Sequence, residues 1–312
     1  MAKERKYMGL SQHLYSVFFA PRGNERMIKL GKDIAQQYLN PFDKLIGVVG
    51  EAGSGKSMLI KGMFPGLDLC NDDNGVNIRP LPILDVDEDE GFYAPHTYHM
   101  DVRFEMAFTQ PHVLAEAVKT AIKKNRRVII EHFDLLYPFL EMNANLLIGV
   151  GEEVIVTRPT FFGPLPGDLA KIVHYSIQFR KMAHTAEDLV EHCMSPELFE
   201  KCYHGDVKRG FSLGFKEKPE IDLNALEKDV KDHIDANYSI DFCDEDHIYI
   251  DTVKHKCTGP RIHVRSTGEI ENFRLLKKIY YDPSQEMYLI IGLVGADLGR
   301  EIADLNEINF KS

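Results

Sequence analysis

The chain has 312 residues, of which 44% are hydrophobic and 27% are charged, and its formal net charge is −11. This is the composition of an ordinary globular protein, which excludes a collagen-like, low-complexity or wholly disordered chain. A chain this acidic is also a poor non-specific binder of nucleic-acid backbones. Its length predicts about two domains of ~150 residues each.

The cysteines and the start of the chain bear on its compartment. The five cysteines are an odd, scattered set without a Cys-x-x-Cys pair, which predicts a reducing compartment and no disulfide scaffold. The start of the sequence has no apolar leader, and no apolar run approaches the ~18 residues of a membrane-spanning helix. We therefore expect a cytoplasmic protein without a membrane partner.

Hydrophobic patterning in the first half of the chain predicts alternating strands and helices. Short apolar runs bounded by polar residues indicate buried strands, and apolar residues three and four apart indicate helices. The predicted strands are 45–49, 128–130 and 154–156. One helix is predicted to begin at about Lys56, and two others are predicted over 111–125 and 167–182. This alternation predicts an α/β domain with a parallel sheet.

The pattern changes after residue 182, where we place a boundary between a domain over 1–182 and a second over 183–312. Two helices are expected near 185–203, the second opened by Ser195 and Pro196. A further helix is predicted over 224–237, and strands over 211–215, 247–252, 261–265 and the pair 273–281/287–294. This order predicts an α+β domain.

The segment Gly50–Ser57, GEAGSGKS, satisfies the phosphate-loop pattern G-x-x-x-x-G-K-[ST] between a predicted strand and a predicted helix. Backbone N–H groups of such a loop surround a phosphate, aided by the helix N-terminus. Lys56 is expected to contact the β- and γ-phosphates, and Ser57 to bind Mg²⁺. We therefore expect an α/β P-loop NTPase domain that binds ATP or GTP with Mg²⁺. The predicted binding residues are Gly50, Glu51, Ala52, Gly53, Ser54, Gly55, Lys56 and Ser57.

A carboxylate partner for this loop is expected at the end of another strand. Glu131 directly follows the predicted strand 128–130, and Asp134 lies three residues further on. An acid at the end of a buried strand commonly holds Mg²⁺ or a water bound to it, so Glu131 is the favoured partner. Glu131 and Lys56 are therefore predicted catalytic residues. The alternative is a solvated acid in a loop.

A second group of acids lies between the loop and Glu131. Asp72 and Asp73 form one cluster, and another runs from Asp85 to Glu90. These acids are either a solvated loop or include a base that activates a phosphate acceptor, for which Asp72, Asp73 and Asp85 are candidates. Arg158, Arg180 and Lys181 are either phosphate-closing cations or surface cations. The arrangement over 45–160 resembles the uridine kinase and phosphoribulokinase group.

Two segments of the second half resemble a different family. The helix His184–His192, HTAEDLVEH, resembles the HTATHLL helix of alanyl-tRNA synthetase editing domains. The segment 257–270, CTGPRIHVRSTGEI, resembles the CGGTHV-x-x-TGEIG segment of the same domains. Their family is the second additional domain that alanyl- and threonyl-tRNA synthetases share with free-standing editing proteins.

This resemblance implies an editing-like fold and a metal site that hydrolyses mischarged aminoacyl-tRNA. The implied ligands of a Zn²⁺ ion are His184, Asp188, Cys257 and His263. The sequence departs from the family in two respects, because Asp188 replaces a histidine and five residues instead of three separate the cysteine from the last histidine. His192 either compensates for Asp188 or is an ordinary helix residue.

Together, the two halves resemble proteins that contain the alanine-tRNA synthetase second additional domain beside a P-loop domain and lack a synthetase core. The leading hypothesis is a nucleotide-binding phosphotransferase or NTPase that also recognises a small molecule or an aminoacylated ligand. One alternative is a metal-assisted aminoacyl-tRNA deacylase regulated by nucleotide, although the net charge of −11 disfavours tRNA. Another is a nucleotide-gated binding protein without catalysis.

Overall fold

A computed structural model describes residues 15–70, 81–85 and 96–295. The described residues form two compact units, each with its own apolar core. Of the described residues, the first unit contains 15–18 and those within Ile28–His174, and the second contains Phe19–Met27 and 175–295. In the described part of the chain, no helix has the length and apolar composition needed to cross a lipid bilayer.

The first unit is built on a six-stranded sheet with the order β1-β6-β5-β2-β4-β3. The strands are β1 (Tyr15–Phe19), β2 (Leu45–Val49), β3 (Thr97–Asp101), β4 (Arg127–Glu131), β5 (Leu146–Val150) and β6 (Glu153–Thr157). The helices that begin in this part of the chain are α1 (Asn24–Tyr38), α2 (Lys56–Met63), α3 (Val102–Glu105), α4 (Pro111–Lys123), α5 (Phe133–Leu140) and α6 (Pro166–Cys193). A 3₁₀ turn covers Pro82–Asp85.

This sheet is mixed, so the predicted parallel sheet is wrong. Strand β2 runs parallel to β4 and β5, and β3 runs parallel to β4, but β6 runs antiparallel to β5. Only Gly151 and Glu152 separate β5 from β6, and so short a connection can join antiparallel neighbours but not parallel ones.

The predicted fold class is corrected as a whole. The chain was expected to form an α/β P-loop NTPase domain with a parallel sheet, followed by an α+β editing-like domain. The described chain instead combines one mixed sheet with two separate antiparallel sheets. Five individual elements nevertheless lie where their local apolar patterns predicted them, namely β2, β4, β6, α2 and α4.

Close packing around β2 explains its sequence. All five residues of Leu45–Val49 are buried, as expected for a central strand covered on both faces. A Cβ atom at Gly47 would lie 2.5 Å from the ring of Phe133, so only glycine fits beneath this fully buried side chain. The strand is thereby held against α5, and the loop that follows it starts from a fixed point.

The second unit contains two antiparallel sheets, with strand orders β11-β10-β9 and β12-β14-β8-β7, and β13 also pairs with β14. The strands are β7 (Tyr203–Val207), β8 (Gly210–Phe215), β9 (Ile240–Asp244), β10 (His247–Ile250), β11 (Val253–Lys256), β12 (Arg274–Leu275), β13 (Tyr280–Asp282) and β14 (Met287–Leu293). The later part of α6 accompanies α7 (Pro196–Phe199) and α8 (Leu223–Asp235).

Three predicted elements differ from the structure, and one of them, the strand expected over 273–281, consists of the two short strands β12 and β13. The helix expected to end near 182 continues without a break to Cys193. The strand expected over 261–265 is irregular, because its backbone bonds to side chains of α6: Ile262 O lies 3.0 Å from His184 Nδ1, and Val264 N donates to Thr185 Oγ1 at 3.2 Å. The short helix after Ser195 and Pro196 is confirmed.

Candidate functional sites

The Gly50–Ser57 loop connects β2 to α2. At Gly50, with φ of 152°, a Cβ atom would lie 2.5 Å from the carbonyl oxygen of Val150. Gly55 has φ of 93° and precedes α2 without a side chain to cap its first turn. The backbone N–H groups of that turn are therefore available to an anion, and the helix dipole favours negative charge there.

Lys56, Ser57 and Glu131 meet beside this loop. The Ser57 hydroxyl donates to Oε1 of Glu131 at 3.1 Å, and Lys56 Nζ lies 3.8 Å from Oε2 of the same carboxylate. Lys56 also donates to the carbonyl oxygen of Glu51 at 2.8 Å. Lys56 and Glu131 are buried, so this contact between an ammonium, a hydroxyl and a carboxylate lies in a low-dielectric environment.

His99 fixes the orientation of Glu131. The backbone N–H of Cys70 donates to His99 Nδ1 at 3.1 Å, so the ring proton lies on Nε2, which donates to Glu131 Oε1 at 3.2 Å. Burial by itself would raise the pKa of Glu131, but the hydrogen bond from His99 and the charge of Lys56 together lower that pKa. Glu131 is consequently held as a carboxylate.

A cavity of about 360 Å³ opens at this group. Its lining consists of Ala52, Gly53, Gly55, Lys56, Ser57, Asp101, Arg103, Phe104, Glu131 and His132. Asp101 and Glu131 are register partners at the carboxyl ends of the parallel strands β3 and β4. His132 has a left-handed conformation, and burial followed by the charge of Lys56 lowers its pKa to about 4. The cavity is therefore lined by two cations, two carboxylates and the Gly50–Ser57 loop; the cations are Lys56 and Arg103, and the carboxylates are Asp101 and Glu131.

The structure separates the other candidates of the first unit. Asp72 and Asp73 lie outside the described residues. Asp85 is exposed, and Asp134, the acid three residues after Glu131, does not line this cavity. Arg158 forms a two-pronged ion pair with Asp43, with N–O distances of 2.6 and 2.8 Å, so its guanidinium has a structural partner. Arg180 is buried in the second unit and donates to the carbonyl oxygen of Pro21 at 2.8 Å.

In the second unit, one ligand atom from each of His184, Asp188, Cys257 and His263 lies within 4.8 Å of the others. We call these residues the four-residue cluster. His184 and Asp188 are one turn apart on α6, whereas Cys257 and His263 come from the irregular segment after β11. The five residues between Cys257 and His263 thus do not keep His263 away from helix α6. Its imidazole ring stacks on that of His184, with the ring centroids 4.4 Å apart.

Hydrogen bonds determine which nitrogen of each imidazole faces the cluster. His184 Nδ1 donates to the carbonyl oxygen of Ile262 at 3.0 Å. The Thr185 hydroxyl donates to the carbonyl oxygen of Lys181, so it accepts from His263 Nδ1 at 3.2 Å. Both Nε2 lone pairs therefore point into the cluster, where the Nε2 atoms of His184 and His263 lie 3.5 and 3.2 Å from Cys257 Sγ, whose single S–H can donate to one of them.

Burial shifts the pKa of each side chain in the four-residue cluster toward its neutral form. Desolvation raises the pKa of Asp188 and of Cys257 well above their ordinary values. Desolvation likewise lowers the pKa of His184 and brings that of His263 to about 3. Oδ2 of Asp188 is buried without a hydrogen-bond partner. Zn²⁺ takes neutral imidazole, thiolate and carboxylate ligands in proteins, so these residues fit a zinc ion if Cys257 and Asp188 release their protons on binding.

Further ionisable side chains border this cluster. Arg22 is buried and lies 3.2 Å from Glu187 and 2.9 Å from Asp206. His204 Nδ1 lies 3.4 Å from Glu187 and 3.1 Å from Glu191, and its hydrogen bonds to these carboxylates raise its pKa to about 10. His192, considered as a substitute ligand, instead packs its ring against the rings of His233 and His255.

Sequence reasoning missed several residues of both sites. In the first unit they are His99, Asp101, Arg103 and His132, and in the second they are Arg22, Glu187, Glu191, His204 and His255. One signal was readable: His184, Glu187, Asp188 and Glu191 recur at helical spacing, and such a stripe normally faces solvent. In the structure these four side chains are buried instead, which is uncommon for ionisable residues.

No protein-family model and no curated protein matches the chain. Among solved structures, it is similar to an amino transferase from Eubacterium rectale, with 12% identity, a TM-score of 0.24 and coverage of 70% of this chain and 64% of that chain. It is also similar to the ornithine aminotransferase from Toxoplasma gondii ME49, with 11% identity, a TM-score of 0.23 and coverage of 80% and 68%. The chain thus spans under two thirds of the first transferase, and neither likeness carries an argument about the site.

Proposed function

We propose that the first unit binds a nucleoside triphosphate with Mg²⁺ at the Gly50–Ser57 loop and transfers or hydrolyses its terminal phosphoryl group. The observation that carries this proposal is the 3.1 Å contact between the Ser57 hydroxyl and Glu131 Oε1, next to Lys56. A hydroxyl and a carboxylate are suitable oxygen ligands for Mg²⁺ or its bound water. The adjacent ammonium can neutralise β- and γ-phosphate oxygens.

The surrounding cavity supports a reaction beyond simple binding. Asp101 and Arg103 line it together with the loop, so a carboxylate and a guanidinium flank the place where the terminal phosphate would lie. A carboxylate there can orient or deprotonate a phosphate acceptor, and an arginine can stabilise charge on the transferred group. Asp101 thus takes the role that we expected of Asp72 or Asp73.

Isothermal titration calorimetry of Mg-ATP and Mg-GTP tests this proposal. We expect Lys56→Ala to weaken nucleotide affinity by at least ten-fold, because the cation nearest the phosphates is lost. Lys61→Ala, which removes a lysine from the same helix but outside the cavity, is the matched control and retains wild-type affinity. Equal affinity in wild type and Lys56→Ala would show that the loop is not a nucleotide site.

A second candidate function is favoured by the two Nε2 lone pairs that point into the four-residue cluster. We infer that His184, Asp188, Cys257 and His263 hold a Zn²⁺ ion, as the resemblance to editing domains implies. A Zn²⁺ ion with these four protein ligands would have to take water as a fifth ligand, and it would then lower the pKa of that water and supply a nucleophile at neutral pH. The substrate class would be a small aminoacyl ester rather than a whole tRNA, given the net charge of −11.

Elemental analysis tests the zinc centre directly. Protein purified without chelator should contain zinc in stoichiometric amount, and Cys257→Ser should lose most of it. Cys243→Ser is the matched control, because Cys243 lies outside the four-residue cluster. Substoichiometric zinc in wild type and both variants would leave the cluster as a metal-free recognition site.

The five free cysteines suit the reducing cytoplasm that we propose for the protein.

A further inference from the structure

We propose that a second divalent metal ion binds beside the four-residue cluster, held by Asp188, Glu191 and His255, with Asp188 bridging the two ions. This inference rests on the zinc centre proposed above, and it adds a site that the resemblance does not imply. The ion class is a divalent first-row cation that accepts oxygen and nitrogen ligands, such as Zn²⁺, Mn²⁺ or Co²⁺.

The geometry of the three side chains fits one ion. One ligand atom from each of Asp188, Glu191 and His255 lies within 4.8 Å of the others, and all three residues are buried. Glu191 Oε2 and His255 Nε2 are 3.9 Å apart. That distance is too long for a hydrogen bond but close to the ~3.4 Å that separates two ligands each ~2.0–2.2 Å from a tetrahedral ion.

Two buried atoms of this group have no hydrogen-bond partner among the described residues, namely His255 Nε2 and Asp188 Oδ2. His255 is 8% exposed and Asp188 is 3% exposed, so solvent does not readily compensate them. A buried polar atom without a partner is costly, and such atoms are uncommon in folded proteins. A cation at this position would satisfy His255 Nε2, and Asp188 could bind it through one carboxylate oxygen while the other oxygen binds the first ion.

Charge supports the same conclusion. Helix α6 carries Glu187, Asp188 and Glu191 on one buried face. Arg22 lies against Glu187, and His204 lies against both Glu187 and Glu191. Oδ2 of Asp188 lies 3.5 Å from His263 Nε2. Divalent cations on both sides of Asp188 would offset this concentration of buried carboxylates.

The residue type at position 188 suits a bridge. A carboxylate has two oxygens and can bind one ion through each, whereas a neutral imidazole has one free nitrogen. Ions bridged in this way lie about 3.5–4 Å apart in two-metal sites. The four-residue cluster fills the coordination of a tetrahedral ion, but Asp188, Glu191 and His255 supply three ligands and leave a position open to water or a ligand oxygen.

Cobalt titration of the full chain after chelator treatment tests the proposal. We expect wild type to bind two Co²⁺ ions per chain and His255→Ala to bind one. The thiolate-to-cobalt absorption band, which reports Cys257 in the first site, should persist in His255→Ala and disappear in Cys257→Ser. His247→Ala, a substitution in the same unit outside both metal groups, is the control and should bind two ions.

The possible outcomes separate this inference from the zinc centre. One ion per wild-type chain, with the thiolate band present, overturns the second site and leaves the first intact. An absence of tight binding in wild type overturns both. If His255→Ala fails to fold, electron paramagnetic resonance of the wild-type protein tests the bridge. Two carboxylate-bridged Co²⁺ ions are magnetically coupled, so the second equivalent of Co²⁺ should attenuate the resonance signal of the first. A signal that simply doubles contradicts the bridge.

Discussion

Ser57 and Glu131 are 74 positions apart in the sequence, yet the hydroxyl of one donates to the carboxylate of the other at 3.1 Å. The contact arises because β2 and β4 are parallel neighbours, with Val48 in register with Glu131. The loop that leaves β2 therefore starts beside the acid that ends β4. Ligands bind at this carboxyl edge of parallel strands in many open sheets.

Removal of the Glu131 charge should separate binding from turnover. We expect Glu131→Gln to leave Mg-nucleotide affinity within a few-fold and to slow turnover by ~10²-fold or more, the scale of acid–base and positioning losses. Glu116→Gln, on the exposed side of α4, should behave as wild type in steady-state phosphate release. Wild-type turnover in Glu131→Gln would move the role to Asp101.

His99 should act as a positioning residue for Glu131. In His99→Leu the donor to Glu131 Oε1 is lost, so the pKa of Glu131 should rise. The acidic limb of the pH–rate profile should therefore move to higher pH. His99→Gln can donate a similar hydrogen bond and should restore much of the profile. Identical acidic limbs in wild type and His99→Leu would contradict this role.

The stability of the metal-free protein should depend on His204. Hydrogen bonds to Glu187 and Glu191 raise the pKa of His204 from 6.5 to about 10 in the folded state. The protonated form thus stabilises the fold fully below pH ~6.5, and this contribution is lost as pH rises through about 10. In chelator, the unfolding midpoint should fall more steeply between pH 7 and 10 in wild type than in His204→Gln. A parallel decline in both proteins would refute the assignment, and His112→Gln, on the surface of α4, should follow wild type.

Arg158 should contribute to the stability of the fold and not to nucleotide affinity. Its guanidinium pairs with both oxygens of Asp43 and donates to the carbonyl oxygens of Tyr38 and Asn145. Arg158→Ala should lower the free energy of unfolding by about 1–3 kcal/mol, the usual worth of hydrogen bonds to charged groups. Arg158→Lys should recover part of that loss, because it keeps the charge but not the two-pronged geometry. A ten-fold loss of nucleotide affinity in Arg158→Ala, measured by calorimetry, would instead place it at the phosphates.

Local sequence determined much of this protein. The apolar run 45–49, the glycines of Gly50–Ser57 and the helical pattern of 111–125 predicted a strand, a loop and a helix where the structure has β2, that loop and α4. Such elements depend on near neighbours: side-chain periodicity, backbone freedom at glycine and a proline in the first helical turn. Family-like segments also indicated His184, Asp188, Cys257 and His263 before their convergence was known.

Tertiary structure alone decided the strand directions and the composition of both sites. The sequence pattern of β6 is the same for either direction, and only its two-residue connection to β5 makes it antiparallel. His99 and Glu131 meet because β3 pairs with β4, and His255 faces Glu191 because β11 returns to α6. These pairings join residues far apart in the chain, and their energy comes from burial and from hydrogen bonds that exist only after folding. A sequence pattern reports local preference, so it could nominate Glu131 and Asp188 but not the partners that give each its charge state.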